Sequence, residues 1–185
     1  MSLIDRVRAF HLAHMSKPVE DRPIFQWILK GHVKRILELG LGRGDRSVRL
    51  IETASKLHDP RAIYYTGIDL FEGRDSSLDA GLTLKVAHQR LAQTGVHVRL
   101  VPGDAFSGVA RIANSLKDVD LVVISGDQPG ETLNRAWFYF PRMIHAASQV
   151  FLQKPCEPGE IAPYDCIGAE EISIWASRTQ RRIAA

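Results

Sequence analysis

Gly40, Gly42 and Gly44 alternate in the run Glu38-Leu39-Gly40-Leu41-Gly42-Arg43-Gly44, directly after an apolar stretch. Glycine adopts backbone torsions that other residues resist. Its missing side chain lets a ligand reach the backbone, and the amides of a following helix start favour polar or anionic groups. A bare strand-to-helix turn would use the same residues, so the loop alone names no ligand. Spacing narrows the choice. A dinucleotide fingerprint reads G-x-G-x-x-G. Counted from Gly40 its last glycine falls on Asp45, and counted from Gly42 it falls on Ser47. Asp45 would also set a negative charge beside a pyrophosphate. A nicotinamide dinucleotide is therefore disfavoured. With no G-x-x-x-x-G-K-[ST] in the chain, so is a P-loop site.

Three carboxylates carry the remaining chemistry. Asp69 follows Tyr65-Thr66-Gly67-Ile68. There a carboxylate can accept from both hydroxyls of a ribose, or it is a solvated turn residue. Asp104 stands in Pro102-Gly103-Asp104-Ala105-Phe106. It could accept from an exocyclic amine while Phe106 packs on a base. It is equally a preferred helix N-cap, and the two roles are compatible if one oxygen serves each. Asp127 stands in Ser125-Gly126-Asp127-Gln128-Pro129, as a base or as a turn residue. His11 and His14 share a helix face, but with no third ligand they read as packed or solvated, not as a metal pair. Trp27, Trp137, Phe138 and Phe140 read as core rather than a stacking platform. Arg178, Arg181 and Arg182 read as a solvated end rather than an RNA contact.

The elements that must position these residues alternate in type. Two helices are expected in the first thirty residues. Leu3, Ile4, Val7 and Phe10 mark the first, and Asp21, Pro23 and the run to Leu29 mark the second. Strands are then expected at 33–39, 63–68, 96–101, 119–125 and 149–153. Helices are expected at 46–57 with Asp45 as N-cap, 82–94, 105–116 and 131–147, the last kinked or split by Pro141. The end is ambiguous. Glu171 to Ala176 alternates like a strand, with Arg182 to Ala185 as a hairpin partner, or the whole tail is helical. Strands alternating with helices predict a doubly wound parallel sheet. Ligands of such sheets sit outside the carboxyl ends of the strands, where the glycines, Asp69, Asp104 and Asp127 all fall.

The chain has 185 residues, 45% of them hydrophobic and 24% charged, which is ordinary globular usage. One domain is expected, with residues 1–31 as a helical extension or lid and 32–185 as the ligand-binding domain. No stretch approaches the ~20 apolar residues of a membrane span. Charges and histidines occupy the N-terminus where a signal peptide needs an apolar block. The two cysteines, Cys156 and Cys166, make no disulfide framework or zinc site. A cytoplasmic location is expected. The net charge is +3 with the two signs interspersed, so nucleic acid is permitted as a partner but not indicated.

The order of these motifs resembles the class I S-adenosylmethionine-dependent methyltransferases. Glu38 to Gly44, the acid Asp69, the Gly103-Asp104-Ala105 turn and the run Asp120 to Asp127 carry the resemblance, which covers roughly residues 33–153. It implies a Rossmann-like methyltransferase fold with a mostly parallel seven-stranded sheet whose last strand is antiparallel. With 32 residues after Gln153, a slightly truncated sheet is expected. It implies S-adenosylmethionine as cofactor. Gly40, Gly42 and Gly44 would approach the methionine part, Asp69 would hold the ribose and Leu70 would lie against the adenine, with Glu38, Leu41 and Ser125 also binding the cofactor. Asp104, Ala105 and Phe106 would stand at the adenine amine and ring. The acceptor would be a small molecule, with O-methylation favoured and Asp127 as base. Asp127 also resembles the acid that binds a divalent metal in small-molecule O-methyltransferases. The companion acids are missing here, with Glu157 alone nearby, so a metal is permitted but not favoured. The Asn-Pro-Pro-Tyr-type motif of amine and nucleobase methylators is absent. Rival readings are a non-catalytic binding module on the same fold, a nucleotide-binding oxidoreductase and a nucleic-acid methylator. A homo-oligomer is permitted.

Overall fold

The computed structural model describes residues 11, 15, 18–74, 81–128, 130–155 and 162–183. The expected helix over Leu3–Phe10 and the residues His14, Cys156 and Glu157 lie outside them. After a 3-10 turn at Val19–Asp21 the order is α1 (Arg22–Ile28), β1 (Arg35–Leu39), α2 (Asp45–Ser55), β2 (Tyr64–Asp69) and α3 (Leu84–Ala92). Then come β3 (His97–Pro102), α4 (Ala105–Ile112), β4 (Val119–Ile124) and α5 (Gly130–Ala136). A 3-10 stretch (Trp137–Arg142), β5 (Ile144–Gln153), β6 (Tyr164–Ile167) and α6 (Ala169–Ile183) complete the described chain. The strands form one sheet in the order β3-β2-β1-β4-β5-β6. Strands β1 to β5 run parallel, and β6 pairs antiparallel with β5.

The period-two pattern of the central strands fills both faces. Leu37 and Leu39 of β1, with Val122 and Ile124 of β4, pack under α4, α5 and α6. Ile36 of β1, with Leu121 and Val123 of β4, packs under α1, α2 and α3. Burial on both faces is why β4 reads as a continuous apolar run. Glu38 shares the face of Ile36 and is therefore carried into the interior, where it is 0% exposed.

Among the described residues the sheet has six strands, the truncated form of the expected sheet. The antiparallel β6 is the next described element after β5. Its four residues lie in a Pro-rich stretch without strand pattern, and pairing with Val150–Gln153 makes them a strand. The tail resolves as a helix. Ile172 and Ala176 stand at i and i+4 and are buried with Trp175 against Trp137. Two further boundaries move. The cap of α2 is Gly44 at φ +73, and Asp45 is the first helical residue, paired with Arg90 at 2.6 Å. An acid there suits the positive end of the helix dipole. Residues 144–147, expected to be helical, begin β5. Its register against β4 shifts at Val119/Leu121, where the Ser148 hydroxyl bonds the Val119 carbonyl at 2.7 Å.

Candidate functional site

Sheet order reverses at β1: β2 and β3 lie to one side and β4 to the other, which is where such sheets open a ligand crevice. Backbone bonds tie the strand ends together there. The Gly40 N–H donates to the Ile68 carbonyl at 2.9 Å, Ser125 N–H to Leu39 at 2.9 Å, and Gly103 N–H to Asp69 at 2.9 Å. The structure therefore gathers the glycine loop, Asp69, Ser125 and Asp127 at one end of the sheet, with Asp104 just past the end of β3.

The glycines do different work. Gly40 has φ +81, and a Cβ there would lie 2.7 Å from Gln128 Nε2 and Ser125 Cβ and 2.8 Å from Asp127 Oδ1. Its missing side chain admits the β4 turn. Gly44 makes room for Leu82. Beside Gly42, at φ +56, a Cβ would meet nothing within 4 Å, so this glycine fronts open space.

Asp69 is 4% exposed and locks the loop. Its Oδ2 accepts from Leu41 N–H at 2.6 Å and Gly42 N–H at 3.3 Å, and its Oδ1 accepts from Phe71 N–H at 3.0 Å. Arg74 grips both oxygens, with Nε on Oδ1 at 2.9 Å and Nη2 on Oδ2. Burial pushes this carboxyl up, but the Arg74 guanidinium and the amides of Phe71 and Leu41 outweigh it and hold it below the usual range. Next to it Leu70 is 41% exposed, an apolar side chain left at the rim.

Glu38 serves the site from beneath. Arg46 Nε donates to its Oε1 at 2.7 Å and Tyr65 Oη to its Oε2 at 2.5 Å. With both oxygens taken inside the core, Glu38 faces the loop's underside rather than the crevice. Arg46 also donates to the Gly40 carbonyl at 2.8 Å and to Tyr164 Oη at 2.7 Å. Asp21 extends the cluster, accepting from Arg49 at 3.0 Å and from Tyr164 Oη at 3.4 Å. It was expected to start α1, yet its side chain makes no cap there. Burial raises its pKa, against the pull of Arg46 and Arg49.

Asp104 is the cap of α4: Oδ1 accepts from Phe106 N–H at 2.8 Å and Ser107 N–H at 2.9 Å, and Oδ2 from Ser107 Oγ at 3.0 Å. Burial raises its pKa, and these three donors overcome that and lower it. Ala105 is buried in the first turn. Phe106 lies under Arg135, whose Cζ is 3.8 Å from the ring centre. Asp127 is exposed, and Oδ1 accepts from Gln128 Nε2 at 3.0 Å while Oδ2 has no hydrogen-bond partner among the described residues. Residue spacing carries no signal for Arg46, Tyr65, Arg74 or Tyr164. Arg46 and Tyr164 are separated by 118 positions and meet only because β6 returns along β5. Among the described residues no group of three or more His, Cys, Asp or Glu is placed to hold a metal, and no helix is long and apolar enough to cross a membrane.

No protein-family model and no curated protein sequence matches the chain. Solved structures do. The O-methyltransferase TomG from Streptomyces achromogenes, involved in tomaymycin synthesis and solved in complex with SAM, matches with a TM-score of 0.55 at 16% identity, covering 100% of this chain and 79% of its own. The chain has the Rossmann-like methyltransferase fold. A candidate O-methyltransferase from Klebsiella pneumoniae matches this methyltransferase fold with a TM-score of 0.53 at 17% identity, over 99% of this chain and 76% of its own. A candidate caffeoyl-CoA O-methyltransferase from Staphylococcus aureus gives 0.52 at 20% identity over 82% of this chain, which spans 66% of that protein.

Proposed function

We propose that the chain binds S-adenosylmethionine at the carboxyl ends of β1 to β4 and transfers its methyl group to an oxygen of a small molecule. The observation that carries this reading is the junction of three parts at the switch point. The open side of Gly42, the Asp69 carboxylate on the loop amides, and Asp127 against Gly40 all meet there. The residues present fit the cofactor with one rearrangement. Arg74 occupies both Asp69 oxygens, and its release frees an accepting position on Oδ1 for a ribose hydroxyl.

When bound, the cofactor supplies a methyl group on a positively charged sulfur, which leaves as a neutral thioether. The chain's part is to position and to move one proton. The loop from Gly40 to Gly44 would take the methionine end and Leu70 the flat face of the adenine, with the Asp104–Phe106 turn at the adenine edge. Ser125 completes the wall opposite. Asp127 Oδ2 would take the hydroxyl proton as the acceptor oxygen attacks the methyl carbon. Positioning of this kind is worth about 7–11 kcal/mol of barrier, and a placed base adds roughly 10²–10⁴-fold. Calorimetric titration with S-adenosylmethionine and its demethylated product is the test, with NADH as control. Micromolar binding of the sulfur ligands alone is expected. A folded, ligand-free sample that binds neither would overturn the reading in favour of a non-catalytic module.

A further inference from the structure

A cavity of about 550 Å3 opens between α5 and α6 on the face that carries Trp137 and Trp175. That size lies within the ordinary range for small-molecule sites. Leu133, Trp137, Leu152 and Trp175 give it apolar walls. The two indoles sit edge to face at 66° with centres 4.9 Å apart, a rigid apolar corner that can take a further ring against one of them. Three polar groups stand among these walls. The Thr179 hydroxyl is spent on the Asn134 carbonyl at 2.9 Å and the Trp175 carbonyl at 3.1 Å. The Asn134 amide and the Arg178 guanidinium make no hydrogen bond or ion pair among the described residues. An exposed cation at the margin of an apolar slot, with a free amide beside it, complements a flat anion.

The cavity also borders the start of α5, just past the β4 turn that carries Asp127. Gly130, which lines it, is the first residue of α5 and closely follows Asp127 in the chain. Asn134 stands one turn further along the same helix face. We infer that this cavity is the acceptor site and that it takes a fused-ring or aromatic molecule bearing a hydroxyl and one carboxylate. The ring lies against Trp175 in the corner it makes with Trp137, the carboxylate on Arg178 and Asn134, and the hydroxyl toward Gly130 and Asp127. The inference rests on the methyl-transfer reading, since it assigns that reaction's second substrate. In the step, the acceptor's O–H bond breaks with its proton going to Asp127. A new O–CH3 bond forms as the sulfur–methyl bond breaks, and the sulfur keeps that electron pair.

The test uses 6-hydroxy-2-naphthoate and its uncharged amide, titrated calorimetrically into the whole chain without S-adenosylmethionine. The acid should bind and the amide should bind more weakly. Arg178→Gln should weaken the acid about five- to tenfold, the size of one solvent-exposed hydrogen bond, and leave the amide unchanged. Arg178→Lys should retain a preference for the acid. Absence of binding, equal binding of acid and amide, or an acid affinity that ignores Arg178→Gln would each overturn the assignment. So would a dimer broken by Arg178→Gln, which would give the cavity to a second copy. This arm needs no cofactor, so a failed S-adenosylmethionine titration leaves it standing. With cofactor added, methylation of the naphthol oxygen is expected. Binding of both ligands without transfer would overturn the acceptor role.

Discussion

Two carboxylates at the site differ in what they hold, and their replacement should separate them. Glu38 is enclosed, with Arg46 on one oxygen and Tyr65 on the other. Glu38→Ala strands a buried guanidinium, a loss of about 3–5 kcal/mol of the kind seen when one partner of a buried pair is removed. Urea unfolding would measure it, and a change under 1 kcal/mol would mean Arg46 finds another partner. Asp69→Ala frees the amides of Leu41 and Gly42 and should weaken S-adenosylmethionine binding by about 1–3 kcal/mol. Unchanged cofactor affinity would reject the ribose role. At this scale the sequence was informative about which residues gather and silent about what they touch. Gly40, Asp69, Asp104 and Asp127 stand at strand ends, and alternation of strand and helix is enough to bring strand ends together. Arg74 and Tyr164 are ordinary surface types in sequence, and only the finished loop and the β5–β6 pairing make them partners of Asp69 and Arg46.

Helix α4 shows how closely an element can depend on one missing side chain. A Cβ on Gly108 would lie 2.3 Å from Ile68 Cγ2. Alanine in a helix gains about 1 kcal/mol over glycine, but overpacking of a core costs about 1–3 kcal/mol, and at 2.3 Å the clash prevails. Gly108→Ala should lower stability, and pairing it with Ile68→Ala should recover part of the loss in a double-mutant cycle. Additive losses would mean that α4 shifts away from β2 instead. Elements were legible where burial was two-sided or strictly periodic, as in β4 and α2. They were illegible where neighbours decide. Tyr164–Ile167 becomes a strand through β5, and Ala169–Ile183 settles as a helix because Ile172 and Trp175 join the core that holds Trp137.

The whole molecule joins two cores across one sheet, and three of its acids pull in opposite directions with pH. Asp69 and Asp104 titrate below their unfolded values. The stability they contribute is present above about pH 4 and is lost as pH falls through their folded values. Asp21 titrates above its unfolded value, so its contribution is present below about pH 4 and is lost as pH rises through its folded value. Stability should therefore fall in acid. In Asp21→Asn the decline in stability from about pH 4 up to the folded value of Asp21 should be lost and the curve should run flatter there, because the proton that only the folded state holds has been removed. Denaturant midpoints across that window measure it, and parallel curves would show that Asp21 titrates alike folded and unfolded.

Among the described residues the outer strands of the sheet are β3, six residues long, and β6, only four. Each leaves a row of backbone donors and acceptors that another chain's edge could capture, the first step toward fibrous aggregates. Exposed His97 and Arg99 stand along β3 and Pro102 closes it, while Asp165 on β6 pairs with Lys154 at 3.1 Å. Charge and proline of this kind deter such capture. Arg99→Val should therefore leave the folded chain intact while shortening its shelf life, seen as growth of large scatterers on storage at high concentration. A variant that stays monodisperse would move the protection elsewhere on the surface.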